Sequence, residues 1–172
     1  NPYSFLHVSR PEIDLDREID EHDEQVYAKG RENLEAFIGE GTLKQDEAPH
    51  IYVYAQRMGD HRQVGIVACA SVADYDADTI KKHEKTRADK EDDRTHHIDV
   101  LSAHDEPVFL TYRASRHIDA LVADVMTQTA VYDFSTNDGV QHQLWAATTE
   151  ASQKIAEAFG AVPALYVADG HH

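Results

Sequence analysis

The sequence predicts an α+β fold, a mixed β-sheet with flanking helices. Three observations point there. Runs rich in β-branched and aromatic residues, at positions 51–57, 63–72 and 107–112, lie between turn-forming residues. Apolar residues recur at helical spacing at Tyr27, Leu34, Phe37 and Ile38, and again at Ile118, Leu121, Val122, Val125 and Met126. The second half alternates strand-like and helix-like segments to its end. With 172 residues and 41% hydrophobic content, the chain can bury one sizeable core, and a single domain over residues 1–172 is expected. It opens without methionine and stops in Asp-Gly-His-His, so it reads as a piece of a longer protein, with an N-terminal segment and the part after that motif missing.

In chain order, residues 1–7 read as a short extended segment, and the acidic stretch 12–24 as a loop feeding a helix. Gly39 and Gly41 mark the end of that helix. The runs 51–57 and 63–72 flank Gly59-Asp60 and form a hairpin. Cys69 is the single cysteine and cannot form an internal disulfide. Set in the apolar run 64–70, it reads as a buried strand residue rather than a reactive thiol, which would need an activating neighbour. Residues 74–99 are dense in charge, with almost no apolar side chains after Ile80. Such a stretch covers a surface or lines a polar cleft, unless it is disordered.

Residues 107–112 then read as a buried strand, and the helical face from Ile118 to Met126 follows. Residues 130–134 and 140–145 are two short strands around a Ser-Thr-Asn-Asp-Gly turn. Thr148 or Thr149 caps a helix carrying Ala151, Ile155, Ala158 and Phe159, which Gly160 ends. Residues 164–167 form a last strand that delivers Asp169 and Gly170 at its C-terminal edge.

Thirty-two acidic residues against sixteen basic ones give a formal charge of −16, which repels DNA and RNA over most of the surface and argues against broad nucleic-acid binding. No run approaches the roughly 20 apolar residues of a membrane span, and the N-terminus lacks the order of a signal peptide. A cytoplasmic protein without a membrane partner is expected.

Two segments carry candidate chemistry. Six of the sixteen basic residues fall in residues 81–94, around His83-Glu84-Lys85-Thr86. Concentrated cations suit a bound polyphosphate, whose charge must be paired where water is partly excluded. A solvated helix with acids and bases at i,i+4 explains the same spacing equally well. The second segment is Val167-Ala168-Asp169-Gly170-His171-His172, an apolar strand ending in an acid, a glycine and two imidazoles. Strand ends in α/β sheets are where ligands dock, and glycine lets backbone N–H groups approach a phosphate. A surface turn or a purification tag would look similar. Zinc would need a third ligand or a cysteine pair, and neither is present at suitable spacing. His50, His61, His96, His97, His104, His117 and His142 follow no ligand spacing, and most of them read as ordinary surface or turn residues.

Taken together, Asn1-Pro2-Tyr3-Ser4-Phe5, the hairpin, His83-Glu84-Lys85-Thr86, Lys90-Glu91, Asp93-Arg94, Pro107-Val108-Phe109-Leu110 and Asp169-Gly170-His171-His172 resemble a bacterial and archaeal family, domain of unknown function 1015. In that family the last motif continues with an arginine and a helix, which implies that His171 and His172 are native. The order of a His-Glu pair, a Pro-Val strand and an Asp-Gly-His-His element is also similar to the free serine kinases of the ParB and sulfiredoxin superfamily. That similarity implies a ParB/sulfiredoxin-like C-terminal part and a nucleotide-dependent small-molecule kinase acting on free L-serine, with ATP or ADP and Mg²⁺.

By position, the resemblance makes Glu84 the general base and His83 the group that orients it. Lys85, Thr86, Arg94, Gly170, His171 and His172 would bind nucleotide and phosphate, and Asp169 would hold magnesium or the substrate amine. An ordinary carboxylate is ionised at pH 7, as a base must be. Two rival expectations are a ParB-like switch that binds or hydrolyses a nucleotide without a small-molecule acceptor, and a non-catalytic interaction domain.

Overall fold

The computed structural model describes residues 1–170 and divides into two compact units, each built from more than one segment of chain. The architecture is α+β: helices flank a four-stranded antiparallel sheet and a three-stranded sheet containing a parallel pair.

One unit comprises Glu47–Lys81 and Thr111–Tyr166. Strands β1 (Tyr52–Met58) and β2 (His61–Val67) form the expected hairpin, turning at Gly59 with φ of 57°, a left-handed conformation that glycine adopts without Cβ strain. Strand β6 (Gln141–Ala146) pairs with the other side of β1, and β5 (Tyr132–Ser135) with β6, giving the order β2-β1-β6-β5. Strand alternation turns Val53, Ala55 and Trp145 into one core with Val125 and Ile155. Val125 ends helix α5 (Arg116–Val125) and Ile155 sits in α6 (Thr149–Phe159), so the sheet buries one face against two amphipathic helices. Both helices start on hydroxyl caps: Ser115 Oγ accepts from Ile118 N at 3.4 Å, and Thr148 Oγ1 from Ala151 N at 3.2 Å. The same unit holds helix α3 (Val72–Asp76) and strand β3 (Ile80–Lys81).

The other unit comprises Asn1–Asp46, Lys82–Leu110 and, as far as it is described, the segment from Val167. Helix α1 (Leu6–Ser9) and a 3-10 turn (Pro11–Asp14) lead to α2 (Glu24–Gly39), capped by the Asp23 carboxylate on Gln25 N. Val8, Phe37 and Leu101 form its core, the last from helix α4 (Ala88–Leu101). Gly30 keeps α2 close to its neighbours: a Cβ there would lie 3.1 Å from Val8 O and 3.2 Å from Pro11 Cγ. Strands β4 (Phe109–Tyr112) and β7 (Leu165–Asp169) each carry residues of both units, and the second sheet has the order β3-β7-β4.

Four expectations need correction. Residues 1–7 are turns and a helical start rather than extended chain, because Asn1 draws Tyr3 N to its side chain and Ser4 N to its carbonyl, local bonds that outcompete the β preference of Tyr3 and Phe5. Cys69 is exposed, since β2 ends at Val67 and Ser71 then caps α3. The 107–112 strand is shorter and only half-buried: Pro107 donates nothing to a ladder, and Phe109 begins β4 at 51% exposure on a sheet edge. His97 is no surface residue but 2% exposed.

Candidate functional site

Helix α4 runs through the charge-dense stretch, and its inward face explains why the sequence hid it. Asp93, His97 and Leu101 are the buried residues of this helix, four apart and therefore on one face. Two of the three are polar, so the usual apolar stripe is missing. Only the second half of the basic segment is this helix; residues 82–87 precede it as exposed or half-buried coil.

Asp93 is the hub. Its Oδ1 accepts from Tyr27 Oη at 2.7 Å and from His22 Nδ1 at 2.9 Å, while Oδ2 accepts from Arg94 Nη2 at 2.7 Å and Nε at 3.0 Å. Burial pushes this carboxyl up, but the bonds from Tyr27, Arg94 and His22 outweigh it and hold the group at about 2. Burial, with the Asp93 bond, raises the Tyr27 phenol to about 12. Next to this hub, His97 Nε2 donates to Asp105 Oδ2 at 3.2 Å, with both side chains almost fully buried. Burial again raises the Asp105 carboxyl, and His97 more than reverses it, leaving it lowered.

His22, Tyr27, Asp93, Arg94 and His97 form one wall of a cavity of about 210 Å³ between the α1 and 3-10 segment, the start of α2 and α4. Arg10, Glu12, Glu21, Lys90 and Glu106 line the rest of its polar surface. Of the sequence-predicted site residues that the structure describes, Arg94 alone lines it. Its guanidinium is committed to Asp93 and reaches Glu106 only at 3.4 Å through Nη1. Burial pulls the Arg94 pKa down, and Asp93 and Glu106 together raise it above its ordinary value.

The remaining predicted residues lie at strand ends. β3 and β7 pair in parallel, with Ile80 opposite Leu165 and Lys81 opposite Tyr166. Both chains therefore leave the ladder at the same end, β3 into residues 82–87 and β7 towards Gly170. The ladder stops at Lys81. His83 Nε2 lies 3.5 Å from Glu84 Oε1, both about half exposed, and Thr86 Oγ1 donates to Glu91 Oε2 at 2.5 Å. Lys85 is exposed. Asp169 closes β7 and accepts from Gly170 N at 2.8 Å. Gly170 has φ of 70°, and a Cβ on it would lie 3.1 Å from Pro107 O, so the residue after β7 is one that only glycine fits comfortably. His171 and His172 lie outside the described residues.

The family described as "Protein of unknown function (DUF1015)" matches residues 1–172. The chain belongs to the DUF1015 family. No curated protein matches it, and no solved structure does. Among the described residues of this DUF1015 chain, no group of three or more His, Cys, Asp or Glu could hold a metal ion, and no helix is long and apolar enough to cross a membrane. Sequence reasoning missed Tyr27, His22 and Asp93 as a unit. The available signal was the i,i+4 series Asp93, His97, Leu101, which marks a buried helical face even when two of its members are polar.

Proposed function

We propose that this chain carries a nucleotide-dependent phosphotransferase site of small-molecule kinase type, with a free hydroxyl compound, L-serine by resemblance, as acceptor. The observation that carries this reading is the parallel pairing of β3 with β7, from which the His83-Glu84 and Asp169-Gly170 segments depart at one end. Ligands in sheets with parallel strands dock beyond the carboxyl ends of those strands, where loops meet.

In the proposed reaction the Glu84 carboxylate takes the acceptor's hydroxyl proton as its oxygen attacks the terminal phosphorus of ATP or ADP. The bond from that phosphorus to the bridging oxygen breaks, and the shortened nucleotide leaves with the electron pair. His83 holds Glu84 in position, and Lys85 binds phosphate oxygens. Phosphoryl transfer depends mainly on such positioning and charge neutralisation. Magnesium is commonly bound through one or two carboxylates together with substrate phosphates, so the absence of a three-ligand cluster among the described residues is compatible with Asp169 as its protein ligand. When bound there, the ion supplies neutralising charge to the phosphates.

The test is incubation of the protein with Mg²⁺, L-serine and either ATP or ADP, read for phosphoserine by mass spectrometry. Wild type is expected to form it, and Glu84→Gln to slow turnover by roughly 10²–10⁴-fold while nucleotide binding persists. Full activity in Glu84→Gln, or nucleotide hydrolysis with no phosphorylated acceptor, would overturn this reading; the second result would favour a nucleotide switch.

A further inference from the structure

We propose that the cavity beside Asp93 binds a small zwitterion of the α-amino-acid class, its carboxylate on Lys90 and Arg94 and its ammonium on Glu21 and Glu106. The inference stands apart from the phosphotransfer reading, since neither Glu84 nor Asp169 lines this cavity.

Charge selects the ligand class. Three cations (Arg10, Lys90 and Arg94) line the cavity against four carboxylates (Glu12, Glu21, Asp93 and Glu106). A triphosphate or other polyanion would meet a wall with no excess positive charge, whereas a zwitterion needs both signs and no net charge. A bare metal ion fits no better: four donors occupy Asp93, and no metal-ligand group forms among the described residues.

The state of each partner shows which groups remain available. Arg10 is held by Glu12 at 2.7 Å, and Asp93 is saturated, so these form the frame. Lys90 shares the cavity lining with four carboxylates and makes no ion pair among the described residues. Arg94 Nη1 has, among the described residues, only the 3.4 Å ion pair with Glu106. Among the described residues, the ion pairs of Glu21 are two at 3.8 Å, to Arg10 and to His22. Two cationic donors and two loosely engaged carboxylates thus line one space, the pairing that an amino acid's two charged ends require. At about 210 Å³ the space falls below the ~300–1,000 Å³ of drug-sized sites. Among the described residues, Pro11 and Val26 are its only aliphatic lining side chains, which favours a ligand with a small or polar side chain.

The experiment offers the free proteinogenic L-amino acids singly to the full chain without nucleotide, by thermal-shift screening followed by calorimetry. The best binder is then compared with its N-acetyl form, its amide and inorganic phosphate. One or more amino acids should bind, with each single-charge form weaker by about tenfold or more. Lys90→Ala and Glu21→Gln, both at exposed positions, should each weaken binding by a similar factor without lowering the melting temperature of the free protein. No amino acid binding at millimolar concentration would overturn the inference, as would phosphate binding at least as well as any amino acid, or affinity unchanged in both variants. Because no nucleotide is present, a missing kinase activity and a missing amino-acid site are separate results.

Discussion

Asp93 has a buried carboxylate with four hydrogen bonds, and its stability contribution follows from its titration. Held at about 2 in the fold against ~3.9 in an unfolded chain, it is a depressed acid. Its contribution is complete above the unfolded value and fades as pH falls through the folded one, a window from about pH 4 to about pH 2. Asp93→Asn should therefore lower unfolding free energy by roughly 2–3 kcal/mol at neutral pH, with the deficit shrinking towards pH 2. Urea titrations of both proteins across this window measure it. A deficit independent of pH would mean that packing, not charge, sets the cost. Tyr27 gives the alkaline counterpart. Its phenol is raised to about 12, so its linked stability is present below the unfolded value of ~10 and is lost as pH rises towards 12. Tyr27→Phe should cost roughly 1–2 kcal/mol at neutral pH by removing a donor to Asp93, and should remove the phenolate absorbance that appears last in an alkaline titration.

Among the elements, helix α2 separates propensity from packing. Gly30 and Gly39 lie in the same helix, and alanine is the better helix former at either by up to ~1 kcal/mol. At Gly39 a Cβ meets nothing within 4 Å, so Gly39→Ala should stabilise by about 0.5–1 kcal/mol. At Gly30 the same atom meets the Val8 carbonyl at 3.1 Å, the Pro11 ring at 3.2 Å and Leu101 at 3.4 Å. The first of these is backbone and cannot swing aside, so Gly30→Ala should destabilise by roughly 1–3 kcal/mol. Thermal melts of the two variants should move in opposite directions; a common direction would mean that α2 is not held against α1 and α4 as described. The same contrast explains which elements were legible. Helices α5 and α6 announce themselves because Leu121, Val125 and Ile155 face an apolar core and Ser115 and Thr148 cap them. Helix α4 buries Asp93 and His97, so its period was disguised by polar residues whose partners, Tyr27 and Asp105, lie elsewhere in the sequence.

Across the whole chain, local pattern gave the α+β class, while the cavity depended on long-range pairing. Arg94 could be named from its cluster of basic neighbours, but its bond to Asp93 and the reach of His22 and Tyr27 to that acid could not, because no periodicity links residues some seventy positions apart. Net charge, in contrast, is wholly legible and has a consequence of its own. With thirty-two acids and sixteen Lys and Arg residues, half the acids have no base to match them. Exposed pairs such as Arg31–Glu35 and Lys154–Glu150 contribute little, so repulsion among the unmatched carboxylates dominates the long-range field. The folded chain holds these charges closer together than the unfolded one does, and salt relieves that cost. The screening length falls from ~30 Å at 0.01 M to ~10 Å at 0.1 M and changes little in absolute terms beyond that. The melting temperature at neutral pH should therefore rise by several degrees as sodium chloride increases over this range and then level off. A fall over the same range would mean that screened ion pairs outweigh the repulsion.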